Sequence, residues 1–517
     1  MFLACAAAIA ACAACSKTPQ EQSGDNSKDP SKDDPSGEVV NPSDEPEVPK
    51  SNQCKLTSFV VTAGEFEIDG FVDPTDNTIE ISFMPNEYEF LKAATAVVEI
   101  SDKATITPDP AQPIDYTAVG GVKFTVTAED GKTSSEYLVY LAGAEFSESV
   151  SRVWIKTFGE MKLAAKPNFD CGLAFVDREH FAYCDLNVFD LSGNSVGKLN
   201  VEGVTGLQVF SDSEVKANGQ LAAMTNDENG VLVAIACHTG EYAEGGTGCR
   251  TEVYAWVNGW DKAPIKIYGP VDYQCMYMSV AGDVKGDFIL NFRTGANSPQ
   301  MHHVLVYKGG KYFNEDGSPA CTWYGPMIQH PGNDGCWGQM LSFFSGNPED
   351  GFVCWDSVGA AEMGDTGNAS AAYYVYGGLT DFLDGYDDET ALRGNVNWTN
   401  WDADGRWYGY GNYSIGHVRA FMYNGSKYVV ASSSSWPCTW ITIQKADPEE
   451  IVLDDEETED IDESLANYLL TTDIIEGAAA CAPCSAFVYD PSTGTGHVVY
   501  AAQSNSVVAY DITTERL

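Results

Sequence analysis

The densest group of side chains suited to ligand binding lies between residues 398 and 413. Six of these sixteen residues are aromatic, namely Trp398, Trp401, Trp407, Tyr408, Tyr410 and Tyr413. Flat aromatic faces stack on the C–H faces of sugar rings, and the interleaved Asp402, Asp404 and Arg406 can hydrogen-bond with hydroxyl groups. The pattern predicts a carbohydrate-binding platform. The alternative is that the rings fill the wedge between packed sheets.

Part of this segment resembles the opening of a calcium loop. Asp402, Asp404 and Gly405 follow one another as in the first turn of such a loop, but Tyr413 stands where an EF-hand requires a bidentate glutamate. We therefore predict no cofactor and no metal site. A calcium site of another kind is the alternative, because the chain is so acidic.

No complete catalytic motif is present in the sequence. The Gly131 to Thr133 stretch lacks the earlier glycine of a phosphate loop, and Ser414 lacks the first glycine of a nucleophile elbow. Cys481 and Cys484 have the spacing of a thiol redox motif without its βαβ setting, which favours a structural role. We predict no catalytic residues and a protein that is not an enzyme.

The first fifteen residues are small and apolar and end at Cys15. This stretch is too short to span a bilayer and predicts a lipoprotein signal peptide over residues 1–15, with Cys15 lipidated. Cys12 is the alternative, because Ile9 lies at the favoured apolar position three residues before it. The positively charged start of a signal peptide is missing, so we expect the natural chain to begin a few residues upstream. The predicted membrane link is lipid only.

The charge balance limits the partners. The chain carries 75 acidic and 29 basic residues, a net charge of -46. Nucleic acid and anionic lipid surfaces need Lys and Arg clusters, so neither is expected as a partner. Neutral ligands, cations and basic surfaces fit this composition.

Export permits disulfides, and twelve cysteines follow the predicted lipidated residue. Neighbours along the chain could form bridges between adjacent strands or loops; these are Cys171 with Cys184, Cys237 with Cys249, and Cys336 with Cys354. Buried thiols are the alternative, because cysteine is also a small core residue.

Composition divides the rest of the chain. Residues 16–52 are rich in Ser, Pro, Asp, Glu and Lys, which predicts a disordered acidic stalk that holds the folded part away from the membrane. Residues 53–143 show short runs of period two, such as Ile79 to Phe83, and an Asp130–Gly131 hairpin signal. About seven such strands predict an immunoglobulin-like β-sandwich.

This region carries a resemblance to a known family. The segments 79–83, 104–108, 124–132 and 137–140 resemble the Ig-like domain of unknown function that follows the lipid anchor in many Bacteroidetes surface lipoproteins. The resemblance implies an outer-membrane lipoprotein that faces the cell exterior and is linked to glycan capture. It implies no catalytic residues.

Residues 150–517 contain a repeat. Strand-like segments start about 50 to 70 residues apart at Asn187, Glu252, His303, Ala372, Trp440 and Val507, and most are preceded by a second apolar strand after a polar turn. Six such units predict a β-propeller with six blades; seven blades or a different all-β repeat are the alternatives. The predicted fold class is therefore all-β, an Ig-like sandwich followed by a β-propeller.

These features together predict a cell-surface binding module for a glycan or for a partner protein of an outer-membrane uptake complex. One alternative is a propeller hydrolase or lyase that acts on polysaccharide, with carboxylates converging on the central channel from different blades. The other is a structural subunit of an outer-membrane complex, which would carry an apolar docking patch.

Overall fold

The structure is a computed structural model, and it describes most of the chain beyond the N-terminal segment. The described residues are 49–163, 172–205, 207, 221–238, 250–271, 275–294, 302–327, 339–356, 372–380, 383, 392–395, 414–435, 438–446, 469–476, 484–502 and 505–517. The predicted signal peptide and almost all of the predicted stalk lie outside them. Within these ranges no helix has the length and apolarity needed to cross a membrane.

Seven strands form an N-terminal sheet, as the period-two pattern predicted. They are β1 (Leu56–Ala63), β2 (Phe66–Asp73), β3 (Thr78–Phe83), β4 (Thr95–Ile100), β5 (Thr105–Thr107), β6 (Val122–Thr127) and β7 (Ser134–Gly143). Their order in one hydrogen-bonded ladder is β4-β1-β2-β3-β7-β6-β5, and only the β3–β7 pair is parallel. Two 3-10 turns, Pro85–Glu87 and Phe90–Ala93, connect β3 to β4.

The two halves of this ladder face each other across one core. Phe59 of β1 packs edge-on against Phe124 of β6, with ring centroids 5.4 Å apart, and against Tyr116, 6.1 Å away. All three side chains are buried. Inward positions therefore alternate with outward ones along each strand, which is what a period of two requires.

The hairpin between β6 and β7 has the chemistry that its Asp-Gly pair predicts. Gly131 takes a φ of 66°, and the Asp130 carboxylate accepts the backbone N–H groups of Lys132 and Thr133 at 2.8 Å each. Glycine has no Cβ atom and therefore adopts a positive φ with almost no strain.

The remaining strands form six four-stranded antiparallel sheets, here called blades 1 to 6 in chain order. Blade 1 contains β9 (Leu173–Phe175), β10 (His180–Tyr183), β11 (Asn187–Asp190) and β12 (Ser195–Lys198); blade 2 contains β13 (Ala223–Asn226), β14 (Leu232–His238), β15 (Arg250–Ala255) and β16 (Ile265–Val271); blade 3 contains β17 (Cys275–Gly282), β18 (Phe288–Thr294), β19 (His302–Tyr307) and β20 (Cys321–Met327). Blade 4 contains β21 (Gln339–Phe343), β22 (Phe352–Asp356), β23 (Ala372–Tyr376) and β24 (Leu392–Asn395); blade 5 contains β25 (Ser414–Tyr423), β26 (Ser426–Ser435), β27 (Cys438–Lys445) and β28 (Leu469–Glu476). Blade 6 contains β29 (Cys484–Asp490), β30 (Thr495–Ala502) and β31 (Ser506–Arg516). Its fourth strand is β8 (Phe146–Thr157), which precedes blade 1 in the chain.

The blades surround a common axis. Their first strands β9, β13, β17, β21, β25 and β29 contact one another in that order, and β29 contacts β9 again, so the ring is closed. Apolar clusters fill the wedges between adjacent blades, for example blades 2 and 3 around Ile267 and Phe292. The predicted all-β fold with a β-propeller is confirmed. The repeating segments found in the sequence are the third strands of the blades, and the apolar strands before them are the second strands.

Most blades share one turn between their first and second strands. An Asp or Asn side chain accepts the backbone N–H two residues later at Asp177, Asp227, Asp283, Asn347 and Asp490, with distances of 2.8 to 3.3 Å. Blade 5 instead turns through Asn424 and Gly425, which have φ values of 50° and 79°. These side chains bond to their own backbone locally, which is why they favour turns.

Blade 6 closes the ring with a strand from the other end of the domain. β8 pairs with β31 along its whole length, from Ser506 opposite Thr157 to Arg516 opposite Phe146. The Glu148 side chain of β8 is nearly buried; it accepts a hydrogen bond from Tyr428 of blade 5 and forms an ion pair with Lys445, whose Nζ lies 3.3 Å away. After β8 the chain makes a single helical turn, α1 (Phe158–Met161), which is capped by Thr157 and Glu160.

The last residues of the chain hold the N-terminal sheet. Arg516 Nη1 donates to the carbonyl of Ser82 at 2.8 Å, and Nη2 lies 3.0 Å from the Glu87 carboxylate. The side chain of Glu87 is only 10% exposed and also accepts the Met84 N–H at 2.6 Å. Leu517 donates to the carbonyl of Glu145 at 2.9 Å. The end of β31 is therefore fixed to the end of β3.

We expect Arg516→Ala to destabilise the N-terminal sheet, because it leaves the mostly buried Glu87 carboxylate without its cation. The expected loss is on the order of 1–3 kcal/mol of unfolding free energy, measured by thermal and chemical denaturation of the full chain. Lys103→Ala is the control, since its ion pair with Glu129 is more exposed and should contribute less than about 1 kcal/mol. Equal losses in both variants would contradict this role of Arg516.

Candidate functional site

The axis of the propeller contains buried polar side chains from the first strands of the blades. They are Thr225 and Asn226 of β13, Ser279 of β17, Ser342 of β21, His417 and Arg419 of β25, and Ser485 of β29. Buried polar groups cost free energy unless they are hydrogen-bonded. The hydrogen-bond partners of these side chains therefore indicate the role of the axis.

Arg419 spans the axis. Its guanidinium donates to the Thr225 hydroxyl and, at 2.6 Å, to the Asn226 carbonyl. β25 belongs to blade 5 and β13 to blade 2, which are three positions apart in a ring of six and so lie opposite each other. The planar guanidinium carries donors in a fixed fork, which suits it to hold two acceptors at once.

Neighbouring side chains connect the other blades. Asn226 donates to the Phe487 carbonyl of blade 6 at 2.7 Å and accepts the Phe175 N–H of blade 1 at 3.2 Å. Ser279 donates to the Leu341 carbonyl at 3.0 Å, which links blade 3 to blade 4. Ser342 accepts the Ala420 N–H at 2.9 Å, which links blade 4 to blade 5. We call Thr225, Asn226, Ser279, Ser342 and Arg419 the axial network.

Burial sets the charge of the titratable groups near this network. Desolvation, together with the nearby Arg419 charge, lowers the pKa of His417 to about 3, so its imidazole is neutral at physiological pH. Desolvation also raises the pKa of Asp227 to about 6, although its carboxylate accepts the N–H groups of Val231 and Val284 at 2.7 and 2.9 Å. The axial network joins blades to one another.

In the described part of the chain no cluster of three or more His, Cys, Asp or Glu side chains is placed to hold a metal ion.

Trp323, on the outermost strand of blade 3, offers a different kind of surface. It is 55% exposed, whereas the other tryptophans with described side chains, Trp154, Trp256 and Trp260, are buried or half-buried. Its ring lies parallel to His303, with an interplanar angle of 2° and centroids 5.7 Å apart. His303 is in turn stacked on Phe292, 5.0 Å away. Burial lowers the pKa of His303, which favours the neutral ring.

The N-terminal sheet has a cleft of about 610 Å³ at one end. Aromatic side chains and small residues line it, namely Phe83, Tyr88, Tyr116, Thr117, Ala118, Gly120, Gly121, Tyr140, Leu141 and Gly143. We call this the β3–β7 cleft, because the ends of those two strands form part of it. Tyr88 and Tyr140 are each 37% exposed.

The residues predicted to bind carbohydrate lie outside the described residues. These are Trp398, Trp401, Asp402, Asp404, Arg406, Trp407, Tyr408 and Tyr410. The flanking strands are described: β24, the outermost strand of blade 4, ends at Asn395, and β25, the innermost strand of blade 5, begins at Ser414. Cys12, Cys15 and Cys481 also lie outside. Every cysteine pair predicted from spacing includes at least one such residue or side chain, so those pairings stay predictions.

Sequence reasoning missed the axial network. Arg419 and His417 lie in β25, whose serine and glycine neighbours gave no clear strand signal. Two signals were available: an isolated arginine within an apolar run, and the recurring Asp or Asn turn that follows the first strand in five of the six blades described. Trp323 was missed as well, because one aromatic residue in a strand gives no pattern that separates a surface ring from a core ring.

Comparison with known proteins gives one family match. Residues 56–141 match the family described as SGBP, N-terminal, which covers less than a fifth of the chain. No curated protein matches the chain.

A search of solved structures matches the chain to several proteins at low identity. A DUF4623 family protein from Bacteroides eggerthii shares 11% identity over 89% of this chain and 99% of its own, with a TM-score of 0.42. NanB sialidase from Streptococcus pneumoniae shares 10% identity over 90% of this chain and 69% of its own, with a TM-score of 0.27. A glycosyl hydrolase from Bacteroides ovatus shares 10% identity over 67% of this chain and 92% of its own, with a TM-score of 0.29.

We expect Arg419→Met and Thr225→Val to be coupled, because the two side chains meet across the axis. Arg419→Met should cost about 2–4 kcal/mol of unfolding free energy and Thr225→Val about 1 kcal/mol. The loss of unfolding free energy in the double variant should be smaller than the sum of the two single losses by at least about 0.5 kcal/mol. Urea denaturation of the four proteins measures this coupling. Strictly additive losses would show that Arg419 does not act through Thr225.

Proposed function

We propose that this protein is a surface glycan-binding protein whose propeller presents aromatic faces to neutral saccharides. The observation that carries the proposal is the exposed ring of Trp323, which lies flat on His303. The match of residues 56–141 to the SGBP N-terminal family supports it, because that family consists of surface proteins of glycan uptake systems in Bacteroidetes.

The geometry of Trp323 suits stacking on a sugar ring. One face of the indole packs on the imidazole of His303, and more than half of the residue is exposed to solvent. Fixing a ring before the ligand arrives reduces the entropy cost of binding. Single exposed apolar side chains are common on protein surfaces; what distinguishes Trp323 is that its exposed ring is stacked on His303.

Charge supports a neutral ligand. With a net charge of -46 the protein repels anionic ligands such as acidic polysaccharides and nucleic acid. Neutral saccharides offer hydroxyl groups and apolar C–H faces and do not meet this repulsion.

The aromatic segment at residues 398–413 extends the proposal to a second surface. It joins the outermost strand of blade 4 to the innermost strand of blade 5. Every blade has four antiparallel strands, so all connections between consecutive blades start and finish at the same end of the ring. Loops gathered at one end of a propeller are a common place for ligand recognition. We therefore keep Trp401 and Trp407 as candidate stacking residues.

The location of the protein follows from the same proposal. The apolar leader ending at Cys15, or at Cys12, would attach the chain to the outer membrane through lipid, and the acidic stalk would extend the folded part outward. The partner we expect is an outer-membrane protein of a glycan uptake complex.

We expect Trp323→Ala to lower affinity for a bound neutral polysaccharide roughly fivefold to tenfold, because one stacked ring contributes about 1 kcal/mol or slightly more. Affinity electrophoresis in gels containing amylopectin, galactomannan or xyloglucan measures retention. The melting temperature should change little. Trp260→Ala is the control: its half-buried ring packs against Gly197, so it should lower the melting temperature and leave retention intact.

The same experiment separates the alternatives. Retention that is unchanged in Trp323→Ala, Trp401→Ala and Trp407→Ala would exclude these rings as the binding surface. Reducing ends released from the polysaccharide over time would show a hydrolase instead. An absence of retention on any neutral polysaccharide would contradict glycan binding by this chain.

Lipidation has its own test. Expression with a fatty-acid analogue in a host with lipoprotein processing should label the protein, and the label should be lost when Cys15 and Cys12 are both replaced by Ser. Each single replacement then identifies the modified residue. Label that persists in the double variant would rule out both positions.

A further inference from the structure

The β3–β7 cleft has the size and lining of a ligand site. Its volume of about 610 Å³ falls within the ~300–1,000 Å³ typical of small-molecule sites. Phe83 and Tyr88 lie with ring centroids 5.3 Å apart at an angle of 41°, and Tyr140 lies on the neighbouring strand β7. The three rings present apolar faces to a space that is open to solvent.

No charged side chain lines the cleft. Charged side chains contact the lining only from outside it: Glu80 accepts the Tyr140 hydroxyl at 2.8 Å, and Asp115 accepts the Thr117 hydroxyl at 2.6 Å. Lys92 lies 2.6 Å from the Glu89 carboxylate. Lys92 also lies 5.9 Å from the centre of the Tyr88 ring. An ionic ligand would find no counter-charge in the lining, so the cleft suits a neutral molecule.

Two glycines in the lining of the cleft add no side chain to one of its walls. Gly120 and Gly121 have φ values of 92° and 78°, which residues with a side chain rarely adopt. A Cβ atom on Gly121 would lie 2.4 Å from the Val139 carbonyl oxygen, so only glycine allows this loop to lie so close to β7. The floor is Tyr116, which is fixed against Phe59 in the core.

The propeller holds the opposite wall in place. Phe83 ends β3 and Tyr88 follows the 3-10 turn Pro85–Glu87, and Arg516 contacts this segment at both Ser82 and Glu87. Asn86 also lies against Gly494 of blade 6. A wall that is fixed in the unliganded protein does not have to be ordered on binding.

We propose that the β3–β7 cleft is a second saccharide-binding site, in which Tyr88 and Tyr140 stack on one or two rings of a neutral glycan. The ligand class rests on the proposed function, whereas the site is separate from the aromatic surfaces of the propeller. Two sites on one chain bind one polysaccharide chain more tightly than either alone, because the second contact forms at a high effective concentration.

The experiment uses the full chain with Trp323→Ala, Trp401→Ala and Trp407→Ala as background, so that binding through the cleft is measured apart from the candidate rings of the propeller. Tyr88→Ala and Tyr140→Ala should each reduce retention on the polysaccharide that the wild type binds by roughly fivefold to tenfold. Tyr140→Phe should retain binding, because it keeps the ring and removes only the hydroxyl that bonds to Glu80. Phe71→Ala is the matched control, since Phe71 is 69% exposed on the same sheet and does not line the cleft.

The outcomes distinguish this inference from the function it rests on. If the wild type binds a polysaccharide and the Tyr88 and Tyr140 variants bind as the Phe71 control does, the cleft is not a saccharide site, while glycan binding elsewhere stands. If the wild type binds no polysaccharide, the proposed function fails as well. Binding of a proline-rich synthetic peptide that is lost in Tyr88→Ala, with polysaccharide binding unchanged, would identify the cleft as a peptide site and overturn the proposal.

Discussion

The propeller depends on hydrogen bonds that join blades across and around its axis. Neighbouring blades are held together mainly by apolar wedges, which attract without fixing direction. Arg419 adds a directional contact between opposite blades, and Asn226 connects blade 2 to blades 1 and 6. Because these groups are buried, losing one partner leaves the other unsatisfied at a cost of about 1–3 kcal/mol. The first strands are therefore held in one arrangement.

Such a fixed axis leaves the outer surfaces and one end of the ring available for binding. The short turns between first and second strands bond to their own backbone through Asp or Asn, as Asp177 and Asp283 do. The last strand of each blade ends, and the first strand of the next begins, at the opposite end of the ring. Trp323 shows the same division within a blade: its strand is fixed by pairing, while its ring remains exposed.

The N-terminal sheet and the propeller meet through residues near both ends of the folded chain. β8 leaves the sheet and becomes the outer strand of blade 6, and β31 returns Arg516 to the end of β3. Breaking the β8–β31 pair would therefore open the ring and release the wall of the β3–β7 cleft together. The closure of the ring and the position of this wall therefore depend on the same strand pair.

Local sequence patterns by themselves determined the all-β class, the seven N-terminal strands and the second and third strands of the blades. Those strands alternate or cluster Val, Ile and Tyr, as in Lys427 to Ala431, and Asp130–Gly131 fixes its own hairpin through a positive φ. Only the tertiary structure decided that β8 completes blade 6, that Arg419 meets Thr225 some 194 residues away, and that Phe83, Tyr88 and Tyr140 share a cleft. Short-range patterns encode burial and turn geometry, whereas these contacts exist only because ring closure brings distant strands together.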